Sequence, residues 1–279
     1  MIDIVTVVFR EELPVLRLQA ESIDLYCQDM NLGLIYVIVN DNPLEIDPKW
    51  WGSFADRVRV IPRTAWPIRY IENGWLTQQL LKLLGAANST NTWTMVLDAK
   101  TILVQPIDLT RIFDASDRLT WGYFEIFPVF EPAKNIVSKL FDIELKNVAG
   151  PGGVPFFFHN GTVRSMIKDI ELRTTQVFDD WFQQQGMVTE FILYSGYLQY
   201  RDITLDVMYD QNNKSRYQVC NVSHGEVELF NTKFLEMMHP DTLTVSVHRK
   251  AWTALTDIQR KAYRDYLILH GISQAQELT

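Results

Sequence analysis

Three apolar segments of this 279-residue sequence run directly into polar residues. Ile2–Phe9 leads into Arg10, Leu34–Val39 into Asn40-Asp41, and Trp93–Leu97 into Asp98-Ala99-Lys100. Near-continuous runs rich in β-branched residues are typical of parallel strands buried on both faces. In open sheets of such strands, ligands bind beyond the carboxyl ends. Three strand ends therefore predict one binding edge, built from Thr6, Phe9, Arg10, Asn40, Asp41, Asp98 and Lys100. Its guanidinium and ammonium groups suit an anion, and its carboxylates suit hydroxyls or a cation. No G-x-G-x-x-G follows the first strand, and no G-x-x-x-x-G-K-[ST] occurs anywhere. Dinucleotide binding of the dehydrogenase type and P-loop phosphate binding are thus disfavoured. A diphosphate at this edge would be held by side chains, with or without a metal.

Further polar groups cluster nearby in sequence. Asn73 is placed to cap a helix whose apolar stripe is Leu76, Leu80, Leu83, Leu84 and Ala87. Trp75, Gln78, Gln79 and Lys82 share the opposite face and are expected to reach the ligand. Arg63 and Arg69, on the loop before this helix, suit phosphate oxygens. His159 and Asn160 follow the apolar Phe156–Phe158 and are expected to meet a second substrate.

These residues need a frame of alternating β and α elements. A helix over Glu12–Met30 separates the first two strands, and a short third strand is expected at Arg57–Ile61. Beyond Asp108, strands are expected near Leu119–Phe124, Val154–Phe158, Ile203–Met208, Tyr217–Val222 and Leu243–Val247. Helices are expected near Ala133–Leu145, Val163–Gln185, Glu190–Tyr200 and Asp257–His270. The fold class is α/β, with a Rossmann-like, mostly parallel central sheet. A single domain is expected, with a nucleotide-binding half over residues 1–106 and an acceptor half with a C-terminal helix over 107–279.

Composition narrows the partners. Hydrophobic residues make up 47% of the chain and charged residues 22%, the balance of a chain that buries a core. A net charge of −8 argues against nucleic acid or anionic membranes as main partners. Cys27 and Cys220 are too few for a disulfide framework and lack metal-site spacing. With no leader-like start and no apolar run long enough to span a bilayer, a cytoplasmic location is the expectation.

Several motifs together carry a resemblance. Val96-Leu97-Asp98-Ala99-Lys100-Thr101-Ile102-Leu103, followed by Pro106, resembles the D-x-D metal-binding segment of GT-A glycosyltransferases. The helix Gly74–Leu83 is similar to the one before that motif in a branch of these enzymes. Thr189–Tyr194 resembles their acidic acceptor-side motif, and Ser246-Val247-His248 their C-terminal metal-ligating His. The resemblance implies a GT-A fold and transfer of a sugar from a nucleotide-diphosphate donor, a UDP-sugar, to a hydroxyl acceptor. It implies Mn²⁺ held by Asp98 and His248, with Glu190 as the base of an inverting enzyme.

Lys100 departs from the pattern, because an ammonium cannot ligate a cation where the family has an acid. Either Asp98, His248 and diphosphate oxygens complete the metal shell, or Lys100 itself supplies the positive charge. Two other readings stay open. Asp98-Ala99-Lys100-Thr101 is similar to the D-x-D-x-T loop of haloacid-dehalogenase-like phosphatases, and a non-catalytic sugar- or nucleotide-binding protein would keep the same edge.

Overall fold

A computed structural model describes residues 1–41, 44–66, 68, 73–120, 123–149, 154–202, 207–210 and 217–278. The first strand, β1 (Ile2–Val8), is buried at every position, Asp3 and Thr6 included. Helix α1 (Leu13–Tyr26) follows, then β2 (Leu32–Val39), β3 (Val58–Ile61), α2 (Gly74–Asn88) and β4 (Trp93–Asp98). The two-residue β5 (Ile102–Leu103) comes next, followed by β6 (Tyr123–Glu125), α3 (Glu131–Phe141), β7 (Asn147–Ala149) and β8 (Phe156–His159). Then come α4 (Asn160–Thr174), α5 (Phe178–Gln184), α6 (Glu190–Tyr200) and β9 (Gln218–Val222). The chain closes with α7 (Phe230–Met237), β10 (Thr242–Val247), α8 (Arg249–Ala254) and α9 (Asp257–Leu269).

The main sheet has the order β3-β2-β1-β4-β8, parallel except for the antiparallel β8. The expected α/β class with a mostly parallel central sheet is therefore observed. Register matters for the site: Val8 pairs with Val39, and Val7 with Asp98. Phe9, Asn40 and Ala99 thus leave the sheet at nearly one level. Alternation along β1 sends Val5 towards α2, where a Cβ added to Gly85 would lie 2.9 Å from Val5 and from Ile38. Glycine is needed there for the helix to sit this close to the sheet. Thr6 points to the other side, against α1, where its hydroxyl donates to Gln19 Oε1 at 2.8 Å.

A smaller sheet, β5-β10-β9, has β10 antiparallel to β5 and parallel to β9. It packs its own apolar cluster, including Val222, Phe230, Val245, Tyr263 and Leu267. Because β5 follows β4 after only three residues, the small sheet is tied to the turn at Asp98–Thr101. That tether brings the end of β10, and with it His248, towards Lys100. Among the described residues a third sheet is the antiparallel pair β6-β7, with α3 between its strands in sequence.

Several elements differ from the sequence expectation. The long helix over Val163–Gln185 is two helices, because Thr175 adopts a left-handed φ of 56° and the Glu171 carboxylate accepts the Phe178 N–H at 3.1 Å, starting α5. Asp142, with φ 54°, ends α3 four residues before the expected boundary of Leu145 is passed. The first helix begins at Leu13, after a 3₁₀ turn at Arg10–Glu12, and stops at Tyr26. Leu119 bridges Phe113 and Tyr209, whereas β6 begins only at Tyr123. Of the strand expected over Ile203–Met208, residues 203–206 lie outside the described residues, and Val207 and Met208 form a helical turn. Among the described residues no helix is long and apolar enough to cross a membrane. Cys27 and Cys220 are free and buried, and burial raises their thiol pKa values to about 12 and about 11.

Candidate active site

Beyond the level ends of β1, β2 and β4 lies a cleft of about 710 Å³. Phe9, Asn40 and Asp41 contribute from the strand ends, and Gly74, Trp75 and Gln78 from the start of α2. Glu11, Glu12, Arg63, His248, Arg249 and Lys250 complete the lining. The strand ends and α2 are tied together at this point. Asn40 Nδ2 donates to the Gly74 carbonyl at 3.0 Å, and Asn73 caps α2 by accepting the Leu76 N–H at 3.2 Å. The Arg10 N–H donates to Asp41 Oδ2 at 3.3 Å, so one strand end braces the next. Trp75 is 39% exposed, leaving a broad aromatic face on the cleft wall.

Behind the edge lies a buried cluster of charges. Lys82 Nζ is 2.8 Å from Glu190 Oε1 and 2.6 Å from Asp98 Oδ1, while Lys100 Nζ is 2.7 Å from Asp98 Oδ2. Lys82 also lies over the Phe191 ring, 5.3 Å from its centre. Desolvation pushes the Asp98 pKa up, but Lys100 and Lys82 outweigh it and hold the carboxyl far below the usual range. Lys82 is likewise held as a cation: burial disfavours its charge, and Asp98 and Glu190 together restore it. For Glu190 burial wins and the pKa is raised. The Lys82–Asp98 contact is an ion pair lying off hydrogen-bond geometry, and Glu190 Oε2 is buried without a hydrogen-bond partner among the described residues.

Sequence reasoning placed Lys82 and Gln79 on an accessible helix face, yet they are only 2% and 5% exposed. The reason is tertiary: α2 packs on β1 on one side and on α4, α5 and α6 on the other. The face opposite its leucine stripe is therefore a second interior. Gln78 does reach the cleft, with Nε2 3.4 Å from the Val7 carbonyl. Phe9, Asp41 and His248 also line it, whereas Thr6 is turned into the core and Arg10 stands outside the lining. Glu190, Asp98, Lys82 and Lys100 lie behind the wall, and Arg69 falls outside the described residues.

His159 and Asn160 correct a sequence expectation. Because β8 runs antiparallel, His159 pairs with Trp93 at the amino end of β4, on the edge opposite the cleft. Asn160 is buried there, donating to Ser89 Oγ and the Asn91 carbonyl, both at 2.8 Å. These two residues shape the far edge and do not approach the cleft.

Two residues were missed by sequence reasoning. Glu12 was read as the first residue of a helix, but the 3₁₀ turn aims it at the cleft, where burial raises its pKa against the lowering effect of Lys100. Gln19 lies wholly inside α1, with Nε2 donating to the carbonyls of Asp98 at 2.6 Å and Thr101 at 3.0 Å. An amide in an otherwise apolar stripe was the only available signal.

The donor set can be tested against the implied Mn²⁺. Both Asp98 oxygens already face ammonium groups. His248 caps α8 through Nδ1, which accepts the Lys250 N–H at 3.2 Å. With that lone pair used, the proton of the neutral ring sits on Nε2, making the free nitrogen a donor and not a ligand. Burial, then Lys100 and Arg249, lower the His248 pKa and keep the ring neutral. Among the described residues, no group of three or more His, Cys, Asp or Glu side chains is placed to hold a metal. The residues present do not fit a divalent cation.

No protein-family model and no curated protein matches the chain. Its fold is similar to the galactosyltransferase LgtC solved with donor and acceptor sugar analogs, at a TM-score of 0.48 and 14% identity, covering 96% of this chain and 95% of that one. It is also similar to the glycosyltransferase GlyE of Streptococcus pneumoniae, at a TM-score of 0.47 and 13% identity, covering 99% of this chain and 62% of that one.

Proposed function

We propose that this chain transfers a glycosyl group from a nucleotide-diphosphate sugar to a hydroxyl acceptor. The observation that carries it is the register of β1 and β2, whose carboxyl ends line one cleft, with the end of β4 and Lys100 behind its wall. The motif resemblance at Asp98–Leu103, Thr189–Tyr194 and Ser246–His248 names the reaction class, with a UDP-sugar as donor. The cleft volume of about 710 Å³ lies within the range of small-molecule sites.

In the reaction the bond between the anomeric carbon and the terminal phosphate oxygen breaks, and its electron pair leaves with the nucleoside diphosphate. The acceptor oxygen bonds to the anomeric carbon, and its proton passes to a carboxylate. Glu12 is our choice for that base, because it lines the cleft and burial raises its pKa. Glu190, the base implied by resemblance, faces Lys82 from inside the core, and we assign it to positioning. Trp75 offers a stacking face for the nucleobase or sugar. The donor set does not fit Mn²⁺. Asp98, with both oxygens on ammonium groups, is equally unsuited to be a phosphatase nucleophile.

The test is a panel of UDP-, GDP- and CMP-sugars with the nucleotide product measured. Release of one nucleotide supports the reading. Binding of a nucleotide sugar with neither hydrolysis nor transfer across an acceptor panel would favour a non-catalytic binding protein.

A further inference from the structure

We propose that this edge is a metal-free diphosphate site, in which the Lys100 ammonium, positioned by Asp98, faces the phosphate oxygens. The proposal rests on the nucleotide-diphosphate reading above and deepens it.

The geometry around Asp98 carries the argument. One carboxylate serves two ammonium groups, Lys82 on Oδ1 and Lys100 on Oδ2. A divalent cation at Asp98 would have to displace one of them. Lys82 cannot withdraw easily, since it is buried, paired with Glu190 and covered by Phe191. A dication left beside it would be repelled. Among the described residues Lys82 has two carboxylate partners and Lys100 one, which it shares, so Lys100 retains the less-compensated charge. Its side chain is 18% exposed and interacts electrostatically with Glu12 and His248, both on the cleft wall.

The cleft lining itself does not supply a surplus of charge. Glu11, Glu12 and Asp41 stand against Arg63, Arg249 and Lys250, three acids and three bases. An incoming diphosphate therefore needs a further cation, and of the two lysines behind the wall Lys100 is the more exposed and the less compensated. His248 adds a neutral N–H donor, because its Nδ1 accepts from Lys250. Preorganised donors of this kind stabilise charge on a leaving group without metal.

The experiment is calorimetric titration of inorganic diphosphate and of UDP, once in EDTA and once in excess Mn²⁺. Lys100→Met, Lys100→Arg and unaltered protein are compared. Mn²⁺ binding is followed separately by electron paramagnetic resonance. The expected result is affinity equal within about twofold in EDTA and Mn²⁺, a loss of at least about tenfold in Lys100→Met, and near-complete retention in Lys100→Arg. Affinity that depends on Mn²⁺, or that is indifferent to Lys100→Met, overturns the proposal, as does failure of both ligands to bind. Should Lys100→Met fail to fold, the EDTA and Mn²⁺ arms on unaltered protein decide alone. If the glycosyl-transfer reading is wrong but this site is right, EDTA-insensitive diphosphate binding persists while every sugar nucleotide goes unused.

Discussion

Lys82 and Glu190, 108 residues apart in sequence, meet at 2.8 Å with almost no exposure of either side chain. The contact joins α2, which packs on the parallel sheet, to the first residue of α6. Asp98 completes the cluster from the end of the central strand β4. Removing Lys82 should therefore act on stability before it acts on chemistry. Lys82→Met leaves two carboxylates buried without their shared cation, and breaking such a pair costs about 3–5 kcal/mol. In urea denaturation the single variant should unfold at clearly lower denaturant, while the double variant Lys82→Met, Glu190→Gln should recover part of the loss. Additive losses would mean that the two residues do not interact.

Glu190 has a pKa raised by burial, and the sign of its pH effect follows. A carboxyl whose folded pKa exceeds its unfolded value binds its proton more tightly when folded. Its stabilising contribution is full below the ordinary carboxyl value of 4.5 and is lost as pH rises through the folded pKa. Melting temperatures from pH 4 upward should show this falling component in the unaltered protein and a flatter profile in Glu190→Gln. Parallel profiles would place the titration elsewhere.

Gln19 holds the turn that carries Asp98 and Lys100. Gln19→Leu keeps the bulk but removes the donor to the Thr101 carbonyl and one of the two donors to the Asp98 carbonyl, which also accepts the Thr101 N–H, a loss of about 1–3 kcal/mol. Diphosphate affinity should fall along with stability, since Asp98 positions Lys100. A variant that is less stable yet binds diphosphate normally would confine Gln19 to packing.

Glu12 and Glu190 can be separated as candidate bases. Glu12→Gln should remove transfer by about 10²-fold or more while leaving donor affinity within a few-fold. The acid limb of kcat/KM should lie above the ordinary carboxylate pKa, in keeping with the raised pKa of Glu12, and should vanish in the variant. Normal turnover in Glu12→Gln together with its loss in Glu190→Gln would return the role to Glu190.

Trp75 is argued to stack against the ligand. Trp75→Ala should weaken UDP binding by about 1–3 kcal/mol, whereas Trp75→Phe should retain most of the affinity. Equal affinity in all three proteins would make this an exposed aromatic without a ligand role.

What the sequence by itself determined is local. Short apolar runs rich in β-branched residues and ended by polar ones read as strands buried on both faces, so β1, β2 and β4 were legible, and with β1 and β2 the edge that lines the cleft. Asn73 precedes a periodic segment and caps α2 in the structure, as its sequence position predicts. What the tertiary structure decided is which polar residues face the cleft and which face each other. Lys82 looked solvent-facing because helical period defines a face but not what covers it, and α6 covers it here. His159 looked site-facing because a sequence does not show that β8 runs antiparallel, which sends its end to the far edge. The Lys82–Asp98–Glu190 cluster unites three segments whose separation leaves no local signal, and burial, which sets its pKa values, exists only after the helices have packed.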